Sequence, residues 1–175
     1  YPYSPTKAKA YWKKAQASLG KKKLTLQLLT NDNDVNKSVA EFVQAAIEKN
    51  LKGVTVNVKS VPLTNEISTL SKGDFDLATL SWSSDFQDPV DFLNKASITN
   101  SVDFGKFDDS QYEGLIKTIT AGTQSKTARY QTMQKAAKLV AEKQGVTPLY
   151  QTASAHLVSS KVGGVHFTLL RDALY

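Results

Sequence analysis

The chain has 175 residues, of which 41% are hydrophobic and 22% charged, so it is large enough for one domain with a hydrophobic core. No stretch of the sequence approaches the roughly 20 consecutive apolar residues of a membrane span. It contains no cysteine, which excludes disulfide frameworks, cysteine-ligated zinc, iron–sulfur clusters and thiol catalysis. The net charge of +6 comes mostly from scattered lysines, and the chain has only two arginines, Arg129 and Arg171. This distribution favours a solvated basic surface over a nucleic-acid site. Adhesion to a polyanion or a cell wall is the alternative.

The first third of the chain predicts a strand–helix–strand unit. Residues 1–20 read as a linker, rather than a signal peptide, that runs into a short helix ended by Gly20. An apolar run over Leu24–Leu29 predicts a buried strand, an apolar stripe over Val35–Asn50 predicts a helix, and alternation over Val54–Val58 predicts a second strand. Such units build parallel sheets with right-handed crossovers.

The same alternation continues along the chain. A helix is expected over Leu63–Leu70, followed by a third strand over Phe75–Trp82. Two more helices are predicted over residues 109–121 and 126–143, and Val146–Tyr150 predicts a short strand or edge segment, because its proline cannot serve a central ladder. The predicted fold is therefore α/β, with a mixed, mostly parallel central sheet flanked by helices.

The chain carries no recognisable catalytic or metal-binding motif. The spacing of Asp32, Asp34 and Asn36 resembles the start of a calcium loop, but Lys37 stands where that loop needs glycine and Val43 where it needs glutamate. We therefore interpret Asn31–Asp34 as a turn that supplies a helix cap. The two histidines, His156 and His166, lack the spacing of a metal site. The chain also lacks a nucleophile elbow, a phosphate-binding loop and a dinucleotide fingerprint, and these patterns predict no catalytic residue, no metal and no cofactor.

Five aspartates cluster around the third predicted strand and the turn that follows it: Asp74, Asp76, Asp85, Asp88 and Asp91. Paired carboxylates can hydrolyse glycosides, so a hydrolase that uses Asp85 with Asp88 or Asp91 is the enzymatic alternative. The pair Asp88-Pro89 is typical of a helix start, and Asp91 would then lie in the first turn of that helix. Asp85 is left without a structural role.

This segment resembles the signature of ABC-transporter peptide-binding proteins of the oligopeptide/dipeptide class. The matching string is Ser81-Trp82-Ser83-Ser84-Asp85-Phe86-Gln87-Asp88-Pro89, preceded by the strand that begins Phe75-Asp76. Three other parts of the chain follow the family in the same order: Pro5–Ala10, Leu51–Val56 and Val146–Tyr150.

The resemblance implies a binding protein rather than an enzyme. Residues 1–175 would form a single α/β lobe of the type II periplasmic-binding-protein class, with residues 1–20 as an N-terminal helical arm and residues 159–175 as a tail returning toward a missing N-terminal lobe. The complete receptor would be extracellular, either lipid-anchored at the cell surface or periplasmic. It would work as a monomer that delivers an oligopeptide to the membrane permease of an ABC importer, without contact to nucleic acid.

The resemblance also implies which residues hold the ligand. Asp85 would pair with the α-ammonium of the peptide, and the preceding strand would lend backbone groups near Ser81, Trp82 and Ser83. Every free peptide has an α-ammonium and a repeating amide backbone, so a receptor tolerant of sequence should bind these two features. Trp82 and Phe86 would add apolar walls. A receptor of the same family for another solute, such as a nickel chelate, heme or an oligosaccharide, is the alternative.

Two positions depart from the family pattern. Ser81 stands where many members have glycine, and Phe86 stands where many have tyrosine. The side chain of Ser81 is expected to narrow the access of a ligand to the backbone at that position. Phe86 lacks the hydroxyl that a tyrosine would provide. Some members of the family hold the carboxylate of the peptide with a basic residue earlier on this strand. Thr79 and Leu80 are not basic, so the strand is not expected to hold that carboxylate here.

Overall fold

The predicted alternation of strands and helices forms a parallel sheet in a computed structural model of the chain, which describes residues 3–153 and 155–165. The chain divides into two compact units, Tyr1–Ser81 and Trp82–Tyr175. The α/β class with a parallel sheet is confirmed. That residues 1–175 form one lobe of a larger receptor stays a prediction, and residues 166–175 of the expected tail, with His166, lie outside the described part of the chain.

The first unit is built on three parallel strands in the order β2-β1-β3. Strand β1 pairs with β2 in register, from Leu24 opposite Val54 to Asn31 opposite Val61. In chain order the elements are α1 (Pro5–Leu19), β1 (Leu24–Asn31), α2 (Asp34–Asn50), β2 (Val54–Val61), α3 (Leu63–Lys72) and β3 (Leu77–Ala78).

Local chemistry fixes the ends of these elements. Asn33 caps α2 by accepting the N–H of Asn36 at 2.8 Å. Gly53 precedes β2 with φ of +87°, and a Cβ there would lie 2.3 Å from the carbonyl oxygen of Lys22, so both the backbone conformation and the close approach require glycine. The core of the unit is aliphatic, with Leu28, Ala40, Val54 and Val56 buried.

The predicted third strand, Phe75–Trp82, is too long: β3 covers only Leu77–Ala78. Just before β3, the side-chain carboxylate of Asp76 accepts the N–H of Gln27 at 2.7 Å. In a continuous parallel ladder a backbone carbonyl would accept this N–H instead. After β3, the N–H of Thr79 still donates to Leu29 at 3.0 Å. The pairing ends there, so Trp82 does not belong to a strand.

The second unit is helical in its described part. Its helices are α4 (Val90–Asn94), α5 (Ser110–Thr120) and α6 (Lys126–Glu142), which confirms the two helices expected over 109–121 and 126–143. Its core cluster includes Tyr112, Ile116, Ile119, Met133, Ala136 and Val140.

The short strand or edge segment expected over Val146–Tyr150 is not a strand. Helix α6 ends just before it, where Gln144 has φ of +61° and the N–H of Gly145 donates to Val140 at 2.9 Å. The segment itself is exposed, and no described strand pairs with it. Apolar alternation alone could not reveal that missing partner.

Candidate ligand-binding site

Side-chain hydrogen bonds hold the irregular segment between Trp82 and Pro89. The backbone N–H of Asp85 donates to Asp91 Oδ2 at 2.8 Å, and the N–H of Val90 donates to Asp88 Oδ1 at 2.9 Å. This segment has no ladder partner for its backbone, so carboxylates accept the N–H groups instead. Asp91 lies in the first turn of α4, as expected. The N-cap position falls on Pro89 rather than on Asp88, although Asp88 accepts the N–H of Val90, the first residue of the helix.

Asp88 has a second structural role. Its Oδ2 accepts a hydrogen bond from the guanidinium of Arg129 at 2.7 Å, and Arg129 Nε also donates to the carbonyl of Ile119 at 3.2 Å. The hydrogen bond from Arg129 is the main cause that holds the pKa of Asp88 below its ordinary value. Asp88 therefore stays ionised and tied to α6, which suits a structural acceptor rather than a general acid.

Three side chains of the second unit converge on one ammonium group. Lys95 Nζ lies 2.8 Å from Asp85 Oδ2, 3.4 Å from Asp91 Oδ1 and 4.3 Å from the centroid of the Trp82 ring. We name Trp82, Asp85 and Asp91 together the ammonium site. The two carboxylates, with the hydrogen bond to Asp85 as the largest cause, raise the pKa of Lys95 above its ordinary value, so that the group within the site is a charged ammonium.

The three members of the ammonium site differ in exposure. The side chain of Asp85 is 64% exposed and that of Asp91 only 4%, while Trp82 is 42% exposed. Asp85 and the Trp82 ring can therefore be reached from solvent, and Asp91 supports them from below by fixing the backbone of Asp85. An accessible carboxylate beside an aromatic face is an environment that binds cations, ammonium groups above all.

The same geometry argues against the two-carboxylate hydrolase. Lys95 lies against both Asp85 and Asp91 and compensates their charge, whereas such an enzyme places its two carboxyl groups on either side of the scissile bond. Asp88, the other proposed partner, has a lowered pKa. Among residues 3–153 and 155–165, no group of three or more His, Asp or Glu side chains is placed to hold a metal ion.

The remaining predicted site residues are exposed. Ser83 and Phe86 follow Trp82 on the surface of the second unit, with Phe86 46% exposed. Ser81 is the last residue of the first unit, and its hydroxyl donates to Asn36 Oδ1 at 3.5 Å. Because β3 ends at Ala78, the prediction that Ser81 and Trp82 lie on a strand is wrong, and any backbone contact that Ser81, Trp82 or Ser83 makes to a ligand would come from an irregular segment.

Sequence reasoning missed Lys95 and the part that Asp91 plays in the site. A signal was available for one contact, since Asp91 and Lys95 stand four residues apart on a predicted helix, the spacing of a helical ion pair. No comparable signal existed for Asp85 and Lys95, which are brought together by the fold of the intervening turn.

Comparison with known proteins places the chain in a family. Residues 1–104 match the model of bacterial extracellular solute-binding proteins, family 5, middle region. The chain belongs to this family. The resemblance that the Trp82–Pro89 segment suggested is thereby confirmed.

Individual relatives of this family 5 chain carry peptide-binding names. It is 32% identical over 170 residues to a dipeptide-binding protein of Lactococcus lactis, covering 95% of this chain and 31% of the relative. Among solved structures it is similar to the substrate-binding domain of an oligopeptide ABC transporter from Bacillus anthracis, at 34% identity and a TM-score of 0.77, over 83% of this chain and 28% of that one.

A second structural neighbour covers nearly the whole chain. The pheromone receptor PrgZ, whose structure shows a mode of peptide binding, is 29% identical with a TM-score of 0.85, over 99% of this chain and 33% of that one. The family 5 chain thus spans about a third of the length of the relatives it matches. In its described part no helix has the length and apolar character that crossing a membrane would require.

Proposed function

We propose that this chain is the peptide-binding lobe of the substrate-binding protein of an ABC importer, and that its ammonium site receives the α-ammonium of an extended peptide. The observation that carries the proposal is the convergence of Trp82, Asp85 and Asp91 on a primary ammonium, that of Lys95. A lysine side chain and a peptide N-terminus present the same –NH₃⁺ group, so a site shaped for one can hold the other.

The chemistry of the site suits a ligand of variable sequence. Asp85 would form a charge-assisted hydrogen bond with the α-ammonium, an interaction of about 1.5–3 kcal/mol. Trp82 would cover the cation with its ring face, and Phe86 would add an apolar surface for the first side chains. Ser81, Trp82 and Ser83 would contact the peptide backbone with their own main-chain groups.

The names of the relatives support the substrate class. The Lactococcus lactis relative is a dipeptide-binding protein, and solved neighbours belong to oligopeptide transport and pheromone reception. We propose accordingly that the complete receptor works without catalysis, as a monomer outside the cytoplasmic membrane, with a second lobe that closes on the peptide and a membrane permease as its partner.

The decisive experiment separates the ammonium from the rest of the peptide. In the full-length receptor, Asp85→Asn should weaken binding of tri-alanine by about tenfold to a hundredfold, the equivalent of one charge-assisted hydrogen bond. N-acetyl-tri-alanine lacks the charge, and its affinity should change little. Isothermal titration calorimetry at one fixed salt concentration measures both.

A matched control is Asp108→Asn, which makes the same chemical change at an exposed aspartate of the same unit. It should leave both affinities unchanged. Equal losses for the free and the acetylated peptide after Asp85→Asn, or no loss for either, would contradict the proposed role of Asp85.

A further inference from the structure

We infer that Lys95 is a built-in competitor of the peptide N-terminus: its ammonium occupies the ammonium site and must leave before the ligand's α-ammonium can enter. This inference rests on the proposed function, because it concerns the selectivity of the same site. It makes Lys95 a determinant of specificity rather than a structural residue.

The geometry shows that the site is filled by Lys95. The lysine follows the last residue of α4, and its side chain returns over the Trp82 ring, with Nζ 4.3 Å from the ring centroid. Nζ donates to Asp85 Oδ2 at 2.8 Å. Asp91 Oδ2 already accepts the N–H of Asp85, and its other oxygen faces Nζ at 3.4 Å. A second ammonium would find the ring face and the nearest carboxylate oxygens already engaged.

Two ammonium groups would not share the site easily. Like charges a few ångströms apart repel each other, most strongly where burial limits screening. The Lys95 side chain is 21% exposed and Asp91 only 4%, so the lower part of the site is largely shielded from water. Because the pKa of Lys95 is raised, the side chain stays charged at neutral pH. The repulsion between the two ammonium groups is therefore not relieved by deprotonation of Lys95.

Lys95 nevertheless can be displaced. Asp85, its closest partner, is 64% exposed, and an ion pair with an exposed member is weak. A four-carbon side chain allows the ammonium to swing into solvent without moving α4. An incoming peptide therefore gains only the difference between its own contacts and those that Lys95 gives up.

This difference creates selectivity. A simple amine replaces one ammonium by another and gains little, whereas a peptide adds backbone and side-chain contacts that Lys95 cannot make. The class of ligand favoured is thus a chain with a free N-terminus and further groups beyond it. A peptide with a blocked N-terminus does not need the carboxylate, and its binding should not depend on Lys95.

The test is the substitution Lys95→Met in the full-length receptor, which keeps the length and apolar stem of the side chain and removes its charge. Affinity for tri-alanine should rise by about threefold to tenfold, as expected when a weak internal ion pair no longer competes. Affinity for N-acetyl-tri-alanine should stay the same. Lys138→Met, at an exposed ion pair with Glu142 on α6, is the matched control and should change neither affinity.

Removing Lys95 also takes a cation from the buried Asp91, so Lys95→Met could disturb the turn. The double variant Lys95→Met/Asp91→Asn keeps the acceptor for the Asp85 N–H and removes the uncompensated charge. It should reproduce the gain for tri-alanine. A loss of affinity in both variants would show that Lys95 positions Asp85 and would overturn the inference, even if Asp85→Asn still distinguished free from acetylated peptide.

A ligand-free measurement tests occupancy directly. In the lysine-labelled 175-residue chain, the methylene protons next to Nζ of Lys95 should resonate upfield of those of the other lysines, because they lie over the Trp82 ring. Asp85→Asn should reduce that shift. Methylene signals of Lys95 at the position of exposed lysines would overturn the inference, while failure of both peptides to bind the receptor would contradict the proposed function itself.

Discussion

The two units of the chain satisfy their backbones in different ways. In Tyr1–Ser81 the parallel ladder between β1 and β2 pairs the main chain with itself over eight residues of each strand, and the core beneath is aliphatic. In Trp82–Tyr175 the described chain runs through helices joined by irregular segments, and carboxylates accept several of its N–H groups, as Asp91, Asp103 and Glu113 do.

The ion pairs follow this division. Within the described residues, the pairs that lysine and arginine form with carboxylates all join residues of the second unit: Lys95 with Asp85 and Asp91, Arg129 with Asp88, Lys138 with Glu142, and Lys143 with Asp109. Asp88, Asp91 and Asp109 each accept a backbone N–H and also pair with a cation. The ammonium site lies in such a region, where loops rather than ladders position functional groups.

The largest expected effects come from truncating the two cores. Tyr112 is fully buried, stacks edge-on against Phe107 at 5.4 Å and donates its hydroxyl to the carbonyl of Leu93 at 2.7 Å. Tyr112→Ala should lower the free energy of unfolding by about 3–5 kcal/mol, and Leu28→Ala in the first unit by about 2–5 kcal/mol. Urea unfolding followed by circular dichroism measures both.

Tyr112→Phe sharpens the contrast between the cores. It keeps the ring and removes the hydroxyl donor, while the Leu93 carbonyl still accepts the N–H of Ala96 at 3.1 Å, so it should lower the free energy of unfolding by about 0.5–1.5 kcal/mol. A value near zero would mean that the second core depends on packing alone, as the aliphatic first core does.

An intermediate effect is expected from two glycines with left-handed backbones, one in each unit. Gly53 has φ of +87° and Gly122 has φ of +69°, but only at Gly53 would a Cβ meet another backbone atom, the Lys22 oxygen at 2.3 Å. Gly122→Ala should therefore destabilise by about 1–2 kcal/mol, and Gly53→Ala by clearly more. Equal losses in thermal or urea unfolding would contradict the importance of the close approach beside β1.

The smallest effects should be those of pH, and they should have opposite signs. Burial is the main cause that raises the pKa of Glu66 in the first unit above its ordinary value of 4.5, opposed by a hydrogen bond from Asn31. In the folded chain Glu66 thus holds its proton to higher pH than in the unfolded chain. Its contribution to the free energy of unfolding is therefore present below pH 4.5 and is lost as pH rises through the pKa of the folded state. The pKa of Asp88 in the second unit is lowered from 3.8, so its contribution is present above that value and is lost as pH falls through the folded pKa.

Glu66→Gln and Asp88→Asn isolate the two groups. The stability of the unchanged chain relative to Glu66→Gln should decline from pH 4.5 toward neutral pH, and its stability relative to Asp88→Asn should decline below pH 3.8. Urea unfolding across a pH series measures both differences. The same sign for the two variants would contradict the proposed contrast between a buried carboxyl group and an ion-paired one.

Helices and long strands were within reach of sequence reasoning. The apolar stripes of α2, α5 and α6 and the alternation of β1 and β2 are local periodicities, and the structure confirms each element with small changes at its ends. The errors fell on Phe75–Trp82 and Val146–Tyr150, where alternation predicted longer or additional strands. A strand requires a partner at a matching distance, and the sequence of one segment carries no information about that partner.

In the candidate site, too, the sequence identified some residues and only the tertiary structure revealed others. The Trp82–Pro89 string identified the family and singled out Asp85 because the residues themselves are its signature, and the role of Asp85 in binding stays a prediction until it is tested. Only the tertiary structure placed the ammonium of Lys95 against Asp85, Asp91 and the Trp82 ring. The physical reason is range: periodicity and capping act over about four residues, whereas a contact across a turn depends on how the whole segment closes.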